Sequence, residues 1–206
     1  MGIPAKLLYR CNSHLLPETG RFEILDGDLW PIYAPGTKHQ AVSLRIAAAL
    51  LGHVDAGNLG QVFQAPYKVI LSRENVIQPD ILFIRQERRG MLGEMNLQGV
   101  PDLVVEVLSR NTRERDIRVK RKIYSGFEIP EYWIVDPALE TVEVLLWSEM
   151  GYASAGVCRR PDRLFTPRMP LGLQLSSVFS FPEATRRRTN TKGYERIPWR
   201  SPCPNL

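Results

Sequence analysis

Gln78-Pro79-Asp80-Ile81-Leu82-Phe83-Ile84 and, further on, Asp102-Leu103-Val104-Val105-Glu106-Val107-Leu108 are two apolar runs that each carry an acid where acids are costly. Both are short, rich in aliphatic and β-branched residues, and bounded by Gly90, Gly93, Gly99 and Pro101, so both are predicted to be buried strands. An ionised carboxylate in an apolar strand is disfavoured by several kcal/mol unless a cation, hydrogen bonds or a metal compensate it. Two such acids, in strands close enough in sequence to be sheet neighbours, point to something positive between them. The alternative is that Asp80 and Glu106 sit at strand ends facing water.

Strand alternation tests which acids can act together. Asp102 and Glu106 share a face but lie about 13 Å apart along one strand, too far to grip one ion. Asp80 and Glu106, on adjacent strands about 4.8 Å apart, can converge on one. Asp102 therefore reads as the residue that starts its strand after Pro101. Oxygen ligands without histidine or cysteine select a hard cation, Mg²⁺ or Mn²⁺.

Beyond Glu106 the chain reads Ser109-Arg110-Asn111-Thr112-Arg113-Glu114, a helix start with Asn111 as cap and Glu114 three residues on. Asp116, Lys120 and Tyr124 fall at i, i+4 and i+8, on one stripe, and Gly126 is expected to end the helix. Residues 108–122 hold seven basic side chains against Glu114 and Asp116. That surface is either solvated or a phosphate-facing wall beside the two acids. On the residues alone, Lys120 reads first as an ion-pair partner of Asp116.

These motifs, in this order, resemble the Uma-two family of bacterial restriction endonucleases, within the PD-(D/E)XK nuclease superfamily. The residues that carry the resemblance are Pro79-Asp80, Pro101-Asp102 through Glu106 to Ser109, Asp116, Lys120, Tyr124 and Pro130-Glu131-Tyr132-Trp133-Ile134-Val135-Asp136-Pro137. Phe22-Glu23-Ile24-Leu25-Asp26-Gly27 and His39 resemble its N-terminal pattern, so the likeness spans roughly residues 15 to 180. It implies an α/β fold with a mixed central sheet flanked by helices and a Mg²⁺- or Mn²⁺-dependent endonuclease acting on nucleic acid, most of all DNA. Asp80 and Glu106 are implied as metal ligands, joined by the Val107 carbonyl, and Asp80, Glu106 and Lys120 as the catalytic set. Lys120 would orient or deprotonate the attacking water.

Two positions depart from the pattern. Leu108 stands where the superfamily has its lysine, which the Uma-two variant supplies from the next helix at Lys120. Arg110 stands where proline is usual, which bears on the loop. Glu23 is a third carboxylate near the metal or a structural acceptor. His39 fits a capping or structural role better than catalysis. Asp116 and Tyr124 complete the auxiliary set, Tyr124 packed on the sheet with its hydroxyl bonded. Tyr132 and Trp133 read as core and surface of a strand. The rivals to a nuclease are a non-catalytic nucleic-acid- or partner-binding module that retains the fold, and a hydrolase of another phosphoester. A double-strand cutter would need two active sites, hence a homodimer.

With 206 residues, 44% of them apolar and 24% charged, the chain has the size and composition of one globular domain. No apolar run approaches the roughly 20 residues a membrane helix needs. The first residues lack a signal-peptide succession, so a cytoplasmic protein is expected. Cys11, Cys158 and Cys203 are scattered and His14, His39 and His53 are few, which argues for neither a zinc site nor a disulfide framework, so reduced thiols are expected.

Reading forward, Leu15–Glu18 ends a short helix, and Arg21–Leu25 and Leu29–Tyr33 form a hairpin around Asp26-Gly27. A helix follows from about Lys38 to His53 with Val42, Ile46, Ala49 and Leu50 on one face. Gly60–Leu71 reads as one strand, and Glu131–Val135 with Thr141–Trp147 as a second hairpin around Pro137-Ala138. Gly151–Phe181 is expected to add short strands and a terminal turn.

The net charge of +5 resides after Glu183, where six basic residues face only Glu195. Residues 1–183 are expected to form the domain and 184–206 a basic, disordered tail. Deleting 184–206 should therefore leave the thermal midpoint almost unchanged, while weakening non-specific nucleic-acid binding and flattening its salt dependence. A large drop in the midpoint, read by circular dichroism, would show the tail to be docked.

Overall fold

Asp26 and Gly27 both take left-handed backbone, with φ of 51° and 82°, the combination a tight hairpin turn requires. They join β1 (Phe22–Leu25) to β2 (Asp28–Pro31) as an antiparallel pair. The structure is a computed structural model and describes residues 21–159, 162–164, 173–174 and 178–179. The expected Leu15–Glu18 helix, the turn closing the domain and the 184–206 tail lie outside the described residues.

Helix α1 (Thr37–Gly57) runs beyond the expected His53 and stops where Asn58 takes left-handed backbone, φ 48°. Its buried stripe is Val42, Ile46, Leu50 and Val54, a strict i+4 series with no exposed surface. Each such side chain contributes about 1.5–3 kcal/mol by leaving water.

The single strand expected over Gly60–Leu71 is two. Pro66 has no N–H to give to a ladder, and the chain divides there into β3 (Gly60–Gln64) and β4 (Lys68–Ser72), which enter different sheets. After β5 (Asn75–Ile77) comes Gln78-Pro79-Asp80, and then β6 (Ile81–Arg85) begins. A 3₁₀ turn (Gln86–Met91) leads to β7 (Asn96–Gln98), and β8 (Leu103–Val107) carries Glu106. A helical crossover then leads to β9 (Glu131–Asp136), β10 (Thr141–Ser148) and β11 (Gly151–Arg159), with a short pair β12 (Arg163–Leu164) and β13 (Leu173–Gln174) beyond.

The large sheet has the order β11-β10-β9-β8-β6-β3 and is mixed, because β8 and β9 run parallel across the helical crossover. The expected single mixed sheet is two: β2-β1-β5-β4-β7 form a second, smaller sheet. Helix α1 packs on one face of the large sheet, against Ile81, Phe83, Leu103, Val105, Val107, Trp133 and Val135. The small sheet and the crossover helix pack on the other, against Leu82, Ile84, Val104, Tyr132 and Ile134. Both faces being covered, the central strands are buried on both sides and mostly apolar, and Trp133, expected at the surface, has no exposed area.

The crossover helix opens at Arg113, one residue later than an Asn111 cap would place it, with Thr112 in the capping position. Ser109 accepts the Arg113 N–H at 3.1 Å, and Glu114, instead of closing a capping box, pairs with Arg118 at 3.0 Å. Residues Arg115–Lys120 form a π turn before α2 (Arg121–Gly126). Gly126 is the last helical residue, as expected, but the left-handed C′ position that turns the chain out is taken by Glu128, φ 58°.

At the β9–β10 hairpin, Asp136 Oδ1 accepts the amides of Ala138 and Leu139 at 2.9 and 3.1 Å, and Oδ2 accepts Arg113. Burial pushes the Asp136 carboxyl up, yet Arg113 and the two amides together hold it below the usual carboxylate value. A depressed acid stabilises the fold above its unfolded pKa of about 3.9 and loses that contribution as pH falls through its folded value. Asp136→Asn should lower the melting temperature at pH 7, and the gap to the wild type should close below about pH 4.

Candidate active site

In the β6–β8 ladder Ile81 lies opposite Val105 and Leu82 opposite Val104. One step further the register sets Asp80 opposite Glu106. Glu106 shares the side-chain parity of Val104 and faces the small sheet, while Asp80, just ahead of β6, turns its carboxylate to the Val107 N–H and to His39 of α1. Both acids line one cavity of about 410 Å³, together with Glu23, His39, Arg115, Asp116 and Lys120. The two acids thus converge on one cavity, as expected of neighbouring strands, and Glu106 is 3% exposed.

What compensates Glu106 is Lys120. Its ammonium donates to Glu106 Oε1 at 2.9 Å and lies 2.8 Å from Glu23 Oε1 and 3.6 Å from Asp116 Oδ1. Tyr124 Oη donates to the same Glu106 oxygen at 2.6 Å. Glu23 Oε1 also accepts the Gln78 N–H at 2.9 Å. A carboxylate of the small sheet therefore holds both the lysine and the backbone that leads into Asp80.

Asp80 Oδ2 accepts the Val107 N–H at 2.8 Å and pairs with His39 Nε2 at 3.1 Å. His39, near the start of α1, thus touches one of the two predicted ligands, which its position before a helix did not reveal. Asp102 behaves as a structural acid: its oxygens take the Arg85 N–H at 2.9 Å and Arg88 Nη1 at 2.6 Å.

The π turn positions the rest. Wider than an α turn, it hydrogen-bonds i to i+5, and such turns recur at functional sites. Arg115 and Lys120 stand five apart and both reach the cavity. Arg115 Nη1 is 3.5 Å from Glu23 Oε2, and its Nε is 3.7 Å from Asp116 Oδ1. The expected phosphate-facing wall is dispersed. Arg113 is bound to Asp136, Arg118 to Glu114, and Arg121 to the Tyr152 carbonyl, so of the seven basic residues only Arg110, Arg115 and Lys120 line the cavity.

Burial drives the electrostatics. It pushes Glu106 well above the usual carboxylate range; Lys120 pulls it back, while Asp116, Asp80 and Glu23 push it further. Burial likewise raises Asp116, opposed by Lys120, Thr112 and Arg115. Burial alone would lower Lys120, but Glu106, Glu23 and Asp116 outweigh it and raise its pKa above the ordinary value. The lysine keeps its proton, and protons taken up on acidification go to the carboxylates. His39 is also raised: burial lowers it, but Asp80, Asp116 and the Val107 backbone together outweigh that effect.

A family model described as "Uma2: Putative restriction endonuclease" matches residues 9–177. The chain belongs to this family. Its fold matches that of a crystal structure described as a putative nuclease belonging to DUF820 from Anabaena variabilis, with a TM-score of 0.66 and 20% identity over 80% of this chain and 93% of that one. No protein with a curated description matches it. The Uma2 chain is therefore a restriction-endonuclease-like α/β fold. Among the described residues no helix is long and apolar enough to cross a membrane.

Removing Lys120 would strand three buried acids. Lys120→Met should cost about 3–5 kcal/mol in urea unfolding at pH 7, the range for breaking a buried ion pair from one side. The deficit should shrink towards pH 5 as Glu106 takes up a proton.

Proposed function

We propose that this protein hydrolyses phosphodiester bonds of nucleic acid, DNA foremost, with a divalent cation, Mg²⁺ or Mn²⁺, held by Asp80 and Glu106. The observation that carries this reading is how the two acids use their oxygens. Asp80 gives Oδ2 to His39 and Val107, and Glu106 gives Oε1 to Lys120 and Tyr124. Among the described residues no donor is bonded to Asp80 Oδ1 or Glu106 Oε2, so each acid keeps one oxygen for the shared cavity.

This donor set fits a hard cation that keeps most of its waters and binds through one or two carboxylates. Charge supports the same reading. Four carboxylates, Glu23, Asp80, Glu106 and Asp116, face the two permanent cations Arg115 and Lys120 on the cavity floor. The negative excess is what a divalent ion offsets. When bound, such an ion lowers the pKa of its water and offsets charge on the phosphate.

The remaining work falls to the chain. Lys120, held protonated by three acids, acts as a fixed positive charge towards the phosphate; its raised pKa argues against the water-deprotonating role that the resemblance left open. Glu106 and Glu23 hold that ammonium in place, and Tyr124 in turn holds Glu106. His39 and the Val107 amide orient Asp80. Exposed Arg21 and Arg110 stand at the rim of the same cavity and attract a polyanion to an otherwise acidic site.

The test is incubation of the full chain with single-stranded DNA, double-stranded DNA and RNA, in Mg²⁺, Mn²⁺ or chelator. Cleavage should require the ion and disappear in Asp80→Asn. Millimolar Mg²⁺ should raise the melting temperature of the wild type at pH 7, less so at pH 5, and not that of Asp80→Asn. Oligonucleotide binding without strand scission under every condition would favour a non-catalytic binding module.

A further inference from the structure

We infer that Arg115 is a substrate contact of this site, donating to a non-bridging oxygen of a phosphodiester that enters the cavity. The inference rests on the nuclease reading above and adds to it a residue that the motif pattern does not contain.

Three observations carry it. Arg115 is largely buried, its side chain 9% exposed, and its Nε–H, shielded from solvent, has no hydrogen-bond acceptor among the described residues. A buried polar group without a partner is rare enough in folded proteins to require an explanation, and an absent ligand is one. Second, the nearby acids do not satisfy it. Asp116 Oδ1 lies 3.7 Å from Nε and Glu23 Oε2 3.5 Å from Nη1, at ion-pair range without hydrogen bonds, and among the described residues both oxygens are themselves unbonded. Arg88 and Arg113 show what a committed arginine does in this fold: each bonds an aspartate, at 2.6 and 2.5 Å. Among the described residues Arg115 makes one hydrogen bond, from Nη1 to the Pro31 carbonyl at 3.0 Å. The edge of the guanidinium that includes Nε is left over, and a planar fork of this kind suits phosphate oxygens.

Third, the π turn sets Arg115 one wide turn before Lys120, so the two cations face the same cavity as Asp80 and Glu106. An anion there meets Lys120 as a point charge and Arg115 as a directional donor. A guanidinium needed only to neutralise Glu23 and Asp116 would be expected to bond them.

Fluorescence anisotropy of a fluorescein-labelled DNA 20-mer, single- and double-stranded, tests this with the full chain in chelator. The variants are Arg115→Lys, which keeps the charge and loses the fork, and Arg115→Met, which loses both. Arg115→Lys should bind about tenfold more weakly, as expected for one charge-assisted hydrogen bond lost, with an unchanged salt slope. Arg115→Met should bind more weakly still, its slope reduced by about one phosphate contact. Both should melt within a few degrees of the wild type. Wild-type affinity in Arg115→Lys, or a melting temperature lowered by more than about 10 °C in that variant, overturns the inference and makes Arg115 a structural brace. Cleavage measured on the same samples in Mn²⁺ separates the two claims. A wild type that binds but never cuts refutes the nuclease and leaves the affinity series to judge Arg115. A wild type that binds neither DNA overturns both.

Discussion

A single buried ammonium joins the layers of this protein. Lys120 belongs to the crossover helix, Glu106 to the large sheet and Glu23 to the small one, and all three are at most 3% exposed. Taking each of these charges out of water costs several kcal/mol, and the cost is recovered only if every partner is held in good geometry. That demand couples the packing of the sheets to the geometry of the site. The small sheet cannot shift against the large one without separating Glu23 from Lys120, and the helix cannot slide without releasing Glu106.

The same carboxylate reaches Asp80. Gln78-Pro79-Asp80 is where the chain leaves β5 in the small sheet and enters β6 in the large one. Pro79 has no N–H to extend either ladder, and the Gln78 amide is taken by Glu23. The acid that ends this passage is then bonded by Val107 of β8 and by His39 of α1. Asp80 is fixed from both sheets and a helix, the kind of support a site needs if its ligands are to converge without help from a flexible loop.

Chemically, the cavity has an acidic floor and a basic rim. Such a floor would repel a phosphate that the rim attracts, and under the proposed function Lys120, Arg115 and a divalent cation would supply the positive charge that resolves the conflict. The net charge of the chain says little about this, because the excess of +5 lies in residues 184–206 while the site is built within a neutral body.

Sequence alone determined the elements whose signal is local. Alternation along β6 and β8, the i+4 stripe of α1 and the Asp26-Gly27 turn are properties of neighbouring residues, and they also place Asp80 and Glu106 at neighbouring strands and Lys120 on the helix that follows. Tertiary structure decided the rest, for physical reasons that no local period contains. Gln78 and Glu23 meet across 55 residues and His39 and Asp80 across 41. The division of residues 60–72 between two sheets depends on which edges find partners. Trp133 is buried because a second layer covers its face of the sheet, and the basic residues of the crossover helix separate because a π turn changes which of them look inward. The role of each charge was set by what it was packed against, and only the folded chain brings those neighbours together.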